Sequence, residues 1–124
     1  MTDTRTLWTA EITSIGPDAT DMIDAGVLIL FGEPVPPALA DVSVVHRADA
    51  EPARDLAPGD TLRIGEAEFI LEAVGEQASQ NLRDLGHVVL YVDAAGQNLL
   101  PGAVHATGTL TAPEPGQTIT LLGP

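Results

Sequence analysis

The sequence predicts an all-β fold with two short helices, closed into a barrel from two pseudo-twofold related halves. Three observations predict it. Short segments rich in Val, Ile, Leu and Thr recur along the chain, each bounded by Gly or Pro. The apolar fraction is 44%, yet only four residues are aromatic, so the core is built from aliphatic side chains. The same series of landmarks occurs twice, in the same order. Two repeats this short cannot each bury a core alone, so they are expected to interlock. Closure into a barrel also removes exposed sheet edges.

Leu7–Ile15 alternates roughly and is β-branched, as a half-buried strand should be. Gly16-Pro17 breaks it. Asp18–Asp24 places Met22 and Ile23 among polar residues and is expected to be a short helix, with Pro17 suited to its start and Gly26 to its stop. Val27–Phe31 is apolar throughout, the mark of a fully buried strand. Gly32–Asp41 contains Pro34, Pro36 and Pro37 and is expected to be a loop. Val42–His46 is the next strand, and Ala48–Gly59 an exposed, charged excursion. Thr61–Ile64 and Ala67–Val74 bracket Gly65-Glu66 as a tight hairpin. Glu76–Leu85 has Ala78, Leu82 and Leu85 at helical spacing, which should turn all three toward the barrel, and Gly86 ends it. His87–Val92 is a strand and Asp93–Pro101 a loop around Gly96. Ala103–Thr107 and Thr118–Leu122 are the last strands, joined through Pro113, Pro115 and Gly116.

The repeat pairs Ile15-Gly16 with Val74-Gly75, Gly26 with Gly86, His46 with His105, and Pro58-Gly59-Asp60-Thr61-Leu62 with Pro115-Gly116-Gln117-Thr118-Ile119. Each pair has nearly the same separation along the chain. One domain, residues 1–124, is therefore expected to contain an internal duplication, about 7–64 and 66–122, with His46 and His105 in equivalent places.

Composition excludes several functions. There are 18 acids and 5 bases, a net charge of −13, and every base is an arginine. Nucleic-acid binding needs clustered cations and is not expected, and neither is attraction to an anionic membrane. A partner with a basic face suits the charge. The absence of cysteine rules out thiol nucleophiles and thiolate metal sites. The apolar runs Val27–Phe31 and Val88–Val92 are far too short to span a bilayer, and no apolar signal core follows Met1–Arg5, so a cytoplasmic location without membrane insertion is expected.

The reactive inventory is three histidines and many carboxylates. The spacing of His46, His87 and His105 fits no compact metal motif, although a three-histidine zinc site could assemble in space. No Gly-x-Ser-x-Gly elbow and no glycine-rich phosphate loop is present. A nucleophilic histidine remains, since neutral imidazole can take a phosphoryl group and release it. His46 closes an apolar strand ahead of the charged excursion, and Arg47 beside it could steady phosphoryl oxygens, unless strand alternation turns it away. The competing reading has His46 simply ending a strand on a backbone hydrogen bond. For His87, in an apolar strand, a structural role is favoured; His105 is intermediate. The acids are read as solvated surface.

Asn81-Leu82-Arg83-Asp84-Leu85-Gly86-His87-Val88-Val89-Leu90 and Pro101-Gly102-Ala103-Val104-His105-Ala106-Thr107-Gly108 resemble the signature of the glucitol/sorbitol-specific enzyme IIA component of the bacterial phosphotransferase system. Ile12-Thr13-Ser14-Ile15-Gly16 and Leu56-Ala57-Pro58-Gly59-Asp60 resemble it too, in register over nearly the whole chain. The resemblance implies an all-β barrel of unusual topology and a phosphocarrier. The resemblance implies that a histidine matching His46 accepts a phosphoryl group from the carrier HPr and passes it to the IIB component of the sugar permease, with the IIB and IIC components as partners. No cofactor is implied. His105 and Arg47 are candidate supporting residues. Two rivals remain on sequence alone: a non-catalytic binding or regulatory barrel that has lost phosphotransfer, and a small metal-binding barrel.

Overall fold

The computed structural model describes residues 5–93 and 97–123. Eight strands close into a barrel in the order β1-β3-β2-β6-β7-β5-β4-β8. They are β1 (Arg5–Ile15), β2 (Val27–Gly32), β3 (Val44–Arg47), β4 (Thr61–Ile64), β5 (Ala67–Val74), β6 (Val88–Val92), β7 (Ala103–Gly108) and β8 (Thr118–Gly123). Every neighbouring pair is antiparallel except β2–β3 and β6–β7. Among the described residues, three helical segments decorate the wall: α1 (Ala19–Asp24), α2 (Pro37–Ala40) and α3 (Ala78–Leu85).

Exchanging each strand with the one four later, β1 with β5 through β4 with β8, reproduces the same cycle read backwards. Irregularities in pairing fall at matching places, between Ile12 and Ser14 in β1 and between Leu71 and Ala73 in β5. The register corrects one detail of the repeat. Leu30 pairs with Val44 and Gly32 with His46, while Leu90 pairs with Val104, Tyr91 with His105 and Val92 with Ala106. With Leu30 matched to Leu90, Ala106 takes the position of His46, and His105 takes that of Val45. A slip of one residue in a strand reverses the face of a side chain. Matching identical letters in the sequence concealed that slip.

The interior is aliphatic, with Leu30, Val44, Leu62, Leu71, Leu90, Val104 and Leu121 in one cluster, closed by Trp8 and Phe69. Alternate residues of each strand supply it, as period-two patterning requires. No described helix is long and apolar enough to cross a membrane.

Three expectations about local structure change. Pro37–Ala40 forms a single helical turn, with Pro37 at its first position, inside what the prolines mark as a loop. The segment 48–60 has no regular structure, as expected, yet it is fastened to the barrel. Ala53 N–H donates to Leu7 O at 2.9 Å, Leu56 N–H donates to Ser79 Oγ at 2.9 Å, and Arg54 grips Asp60 through two bonds of 2.9 and 2.7 Å. Asp60 is only 1% exposed and also accepts from Ala57 N–H at 2.9 Å, so one acid read as surface is in fact a buried, fully engaged fastener. The third change is Leu85, which helical spacing turns toward the barrel and which is 51% exposed. The expected loop at 93–101 falls partly on residues 94–96, which lie outside those described.

Helix α3 packs through Ala78 and Leu82, and its C-terminal cap is Gly86 at φ 66. Leu82 is 5% exposed and belongs to the core cluster. Leu82→Ala is expected to destabilise the fold by roughly 2–5 kcal/mol, the transfer and cavity terms of a buried leucine together. Chemical denaturation measures it, and a loss under about 0.5 kcal/mol would mean that α3 does not seal the barrel.

Candidate functional site

His46 is the third residue of β3 and follows Val44 by two, so both face the barrel interior. It lies at the mouth, at the base of a cleft of about 420 Å³. Four pieces of chain form the walls: Trp8 of β1, Gly32–Pro34 at the end of β2, the strand exit 47–52, and Leu82–Gly86 at the end of α3. Gly32 and Gly86 let two backbones meet beneath the histidine. A Cβ on Gly86 would lie 2.8 Å from Gly32 Cα and 3.0 Å from His46 Cε1.

The imidazole is held on two sides. Trp8 meets it edge-on, ring centroids 5.4 Å apart at 82°. Nε2 lies 2.8 Å from Gly86 O. A carbonyl only accepts, so Nε2 carries the proton and donates, and the free lone pair of the neutral ring is on Nδ1. Nδ1 is buried and has no partner among the described residues. His46 as a whole is 1% exposed. Burial pushes its pKa below the ordinary 6.5, while the Gly86 carbonyl and the Glu33 carboxylate oppose that push less strongly. The ring is therefore neutral near pH 7, the form in which imidazole is a nucleophile.

That shift has a consequence for stability. A histidine with a depressed folded pKa binds its proton more tightly when unfolded. Its contribution is complete above the unfolded value near 6.5 and is lost as pH falls below it, levelling off under the folded pKa. Wild type is therefore expected to lose more stability than His46→Gln between about pH 7.5 and pH 5. Parallel Tm profiles for the two proteins would show that protonation of His46 is not opposed by folding.

The other named residues fall elsewhere. Arg47 is exposed on the outward face of β3 and still borders the cleft mouth, with no ion pair among the described residues. His87 puts Nδ1 3.0 Å from Leu30 O and its ring 4.6 Å from that of Phe31, the structural role its strand suggests. His105 faces away from the interior, with its ring centroid 6.2 Å from that of Tyr91. Since β2 and β6 are antiparallel and each is parallel to its partner, β3 and β7 run in opposite directions, and their C-terminal ends lie at opposite mouths. The structure does not bring His105 to His46, and it does not line the cleft. Among the described residues, no three histidine, aspartate or glutamate side chains converge to hold a metal.

Two contributors are not singled out by the sequence: Gly86, whose carbonyl fixes the tautomer, and Trp8, whose edge holds the ring. The Leu85-Gly86 helix stop is the only local signal of the first. Nothing local signals the second, because β1 and β3 are far apart in the chain.

The family described as "PTS system glucitol/sorbitol-specific IIA component" matches residues 7–120. A protein of Shigella flexneri named "PTS system glucitol/sorbitol-specific EIIA component" is 36% identical over 102 residues, 82% of each chain. One with the same name from Escherichia coli (strain K12) is 35% identical over the same length, again 82% of each chain. A solved structure of a PTS system IIA component from Enterococcus faecalis V583 superposes with a TM-score of 0.81 at 31% identity, covering 90% of this chain and 96% of that one.

Proposed function

This chain belongs to the family of glucitol/sorbitol-specific IIA components of the phosphotransferase system, and from that premise we propose that it is a phosphocarrier whose acceptor is His46. One observation carries the assignment to this residue. His46 is the histidine that lines the cleft, with its ring neutral and its proton pinned to Nε2 by Gly86 O. His87 is engaged with Leu30 O, and His105, in the middle of β7, does not line the cleft.

The reaction exchanges one phosphorus–nitrogen bond for another. The His46 lone pair attacks the phosphorus of a phosphohistidine on HPr. The donor's P–N bond breaks, and its electron pair returns to the donor imidazole, so no net proton moves. The IIB component then attacks the same phosphorus, and the His46 P–N bond breaks in turn. Such transfers depend on positioning and on charge stabilisation more than on covalent chemistry by the protein. Arg47, at the mouth and free of ion pairs among the described residues, is the cation available to the phosphoryl oxygens. Because His46 is almost wholly buried, transfer requires the ring or the cleft wall beside it to yield when a partner docks. The cargo chain would end in uptake of a glucitol- or sorbitol-type sugar through the IIB and IIC components. The repeated strand order and matching irregularities support a single domain that arose by duplication, with the chemistry kept in the first half.

The test is incubation with phosphoenolpyruvate, enzyme I and HPr, followed by intact-mass measurement under alkaline conditions that preserve phosphohistidine. A gain of one phosphoryl group is expected. A wild-type chain that gained none would favour the non-catalytic barrel instead.

A further inference from the structure

Leu85 has the helical phase of Ala78 and Leu82, which are buried, and yet it is 51% exposed. It stands on the rim of the His46 cleft, one residue before the glycine whose carbonyl holds the imidazole. Around it the rim carries Glu33, Asp49, Glu51 and Asp84 against only Arg47 and Arg83, and Arg83 is engaged by Asp55. An apolar residue inside a charged rim is the layout of a docking patch. The centre supplies the contact that loses water, and the rim selects the partner and speeds the encounter.

Resting on the phosphocarrier reading, we propose that Leu85 is the anchor on which the donor carrier protein docks, through an apolar patch ringed by lysine or arginine. Charge selects that occupant. The rim is acidic, and the chain carries a net −13. A second copy of this chain would bring like charges face to face, and nucleic acid or an anionic bilayer would be repelled. Position selects the residue. A partner bearing on Leu85 presses directly beside Gly86, the residue whose carbonyl holds His46. The other exposed leucines, Leu39, Leu99 and Leu100, do not line this cleft.

The test is steady-state phosphorylation of the full chain by phosphorylated HPr, comparing wild type, Leu85→Asp, Leu85→Ser and, as control, Leu99→Asp. Thermal unfolding of each variant checks the fold, and Leu85→Ser carries the comparison if the aspartate disturbs the end of α3. The expected result is a KM for the carrier raised about tenfold in the Leu85 variants, the loss of one anchor contact, with kcat within about twofold of wild type. Leu99→Asp should leave both unchanged. A folded Leu85 variant with wild-type KM, or one that lost kcat alone, would overturn the docking proposal while leaving His46 as acceptor intact. If wild type itself took no phosphoryl group, the phosphocarrier reading would fall and the docking proposal with it.

Discussion

His46→Gln is expected to take up no phosphoryl group from phosphorylated HPr, while His105→Gln and His87→Gln remain competent. The glutamine amide can still donate to Gly86 O, so the substitution removes the nucleophile and keeps a filled, hydrogen-bonded site. No other side chain in the cleft can form a phosphoramidate intermediate, because the remaining nitrogens there belong to arginines and the Trp8 indole. His105 sits in the middle of β7 and does not line the cleft, so the rate of His105→Gln should stay within about twofold of wild type, far from the 10²–10⁴-fold loss typical of an acid–base or electrostatic aid. Intact mass after enzyme I, HPr and phosphoenolpyruvate reads the result. Phosphorylation of His46→Gln together with failure of His105→Gln would move the acceptor to the second half.

A second large effect is expected at Gly86, where stability and phosphoryl uptake should suffer together. Gly86→Ala should destabilise the protein by about 2–4 kcal/mol and slow phosphoryl uptake as well, because two penalties coincide there. The first is conformational: φ is 66, where a Cβ meets its own backbone. The second is steric: the new methyl would lie 2.8 Å from Gly32 N and Cα, both backbone atoms, and 3.0 Å from the His46 ring. Gly59→Ala separates the two terms. Gly59 also has positive φ, at 95, but nothing lies within 4 Å of its Cβ position. It should therefore show only the conformational part, about 1 kcal/mol. Denaturant unfolding of both variants gives the comparison. If Gly86→Ala cost no more than Gly59→Ala, the close approach of the two backbones under His46 would carry no energy.

These expectations rest on features that differ in how far the amino-acid order alone reveals them. Val27–Phe31 reads as a strand because it is a short apolar run, although Val27 and Ile29 are only half-buried where full burial is expected, and Gly86 has to end α3 because the helical pattern stops on a residue that tolerates positive φ. The repeat of landmarks is a property of the letters, and so is the strand that ends on His46. What lay beyond the sequence is pairing between distant segments. Which of two similar histidines faces the barrel interior depends on register, and register is set by contacts of β3 with β1 and β2 and of β7 with β5 and β6. One residue of slip reverses the answer. Leu85 has an apolar helical phase, but exposure depends on whether the wall reaches it, and at the cleft rim it does not. Asp60 resembles any surface acid until Arg54 and Ala57 N–H are folded against it. Local order thus determined the strands, the helix stops and the identity of the reactive side chain. Closure of the barrel decided which way that side chain points, what holds it and how little of it meets water, because each of those depends on groups brought together only when the ends of the sheet meet.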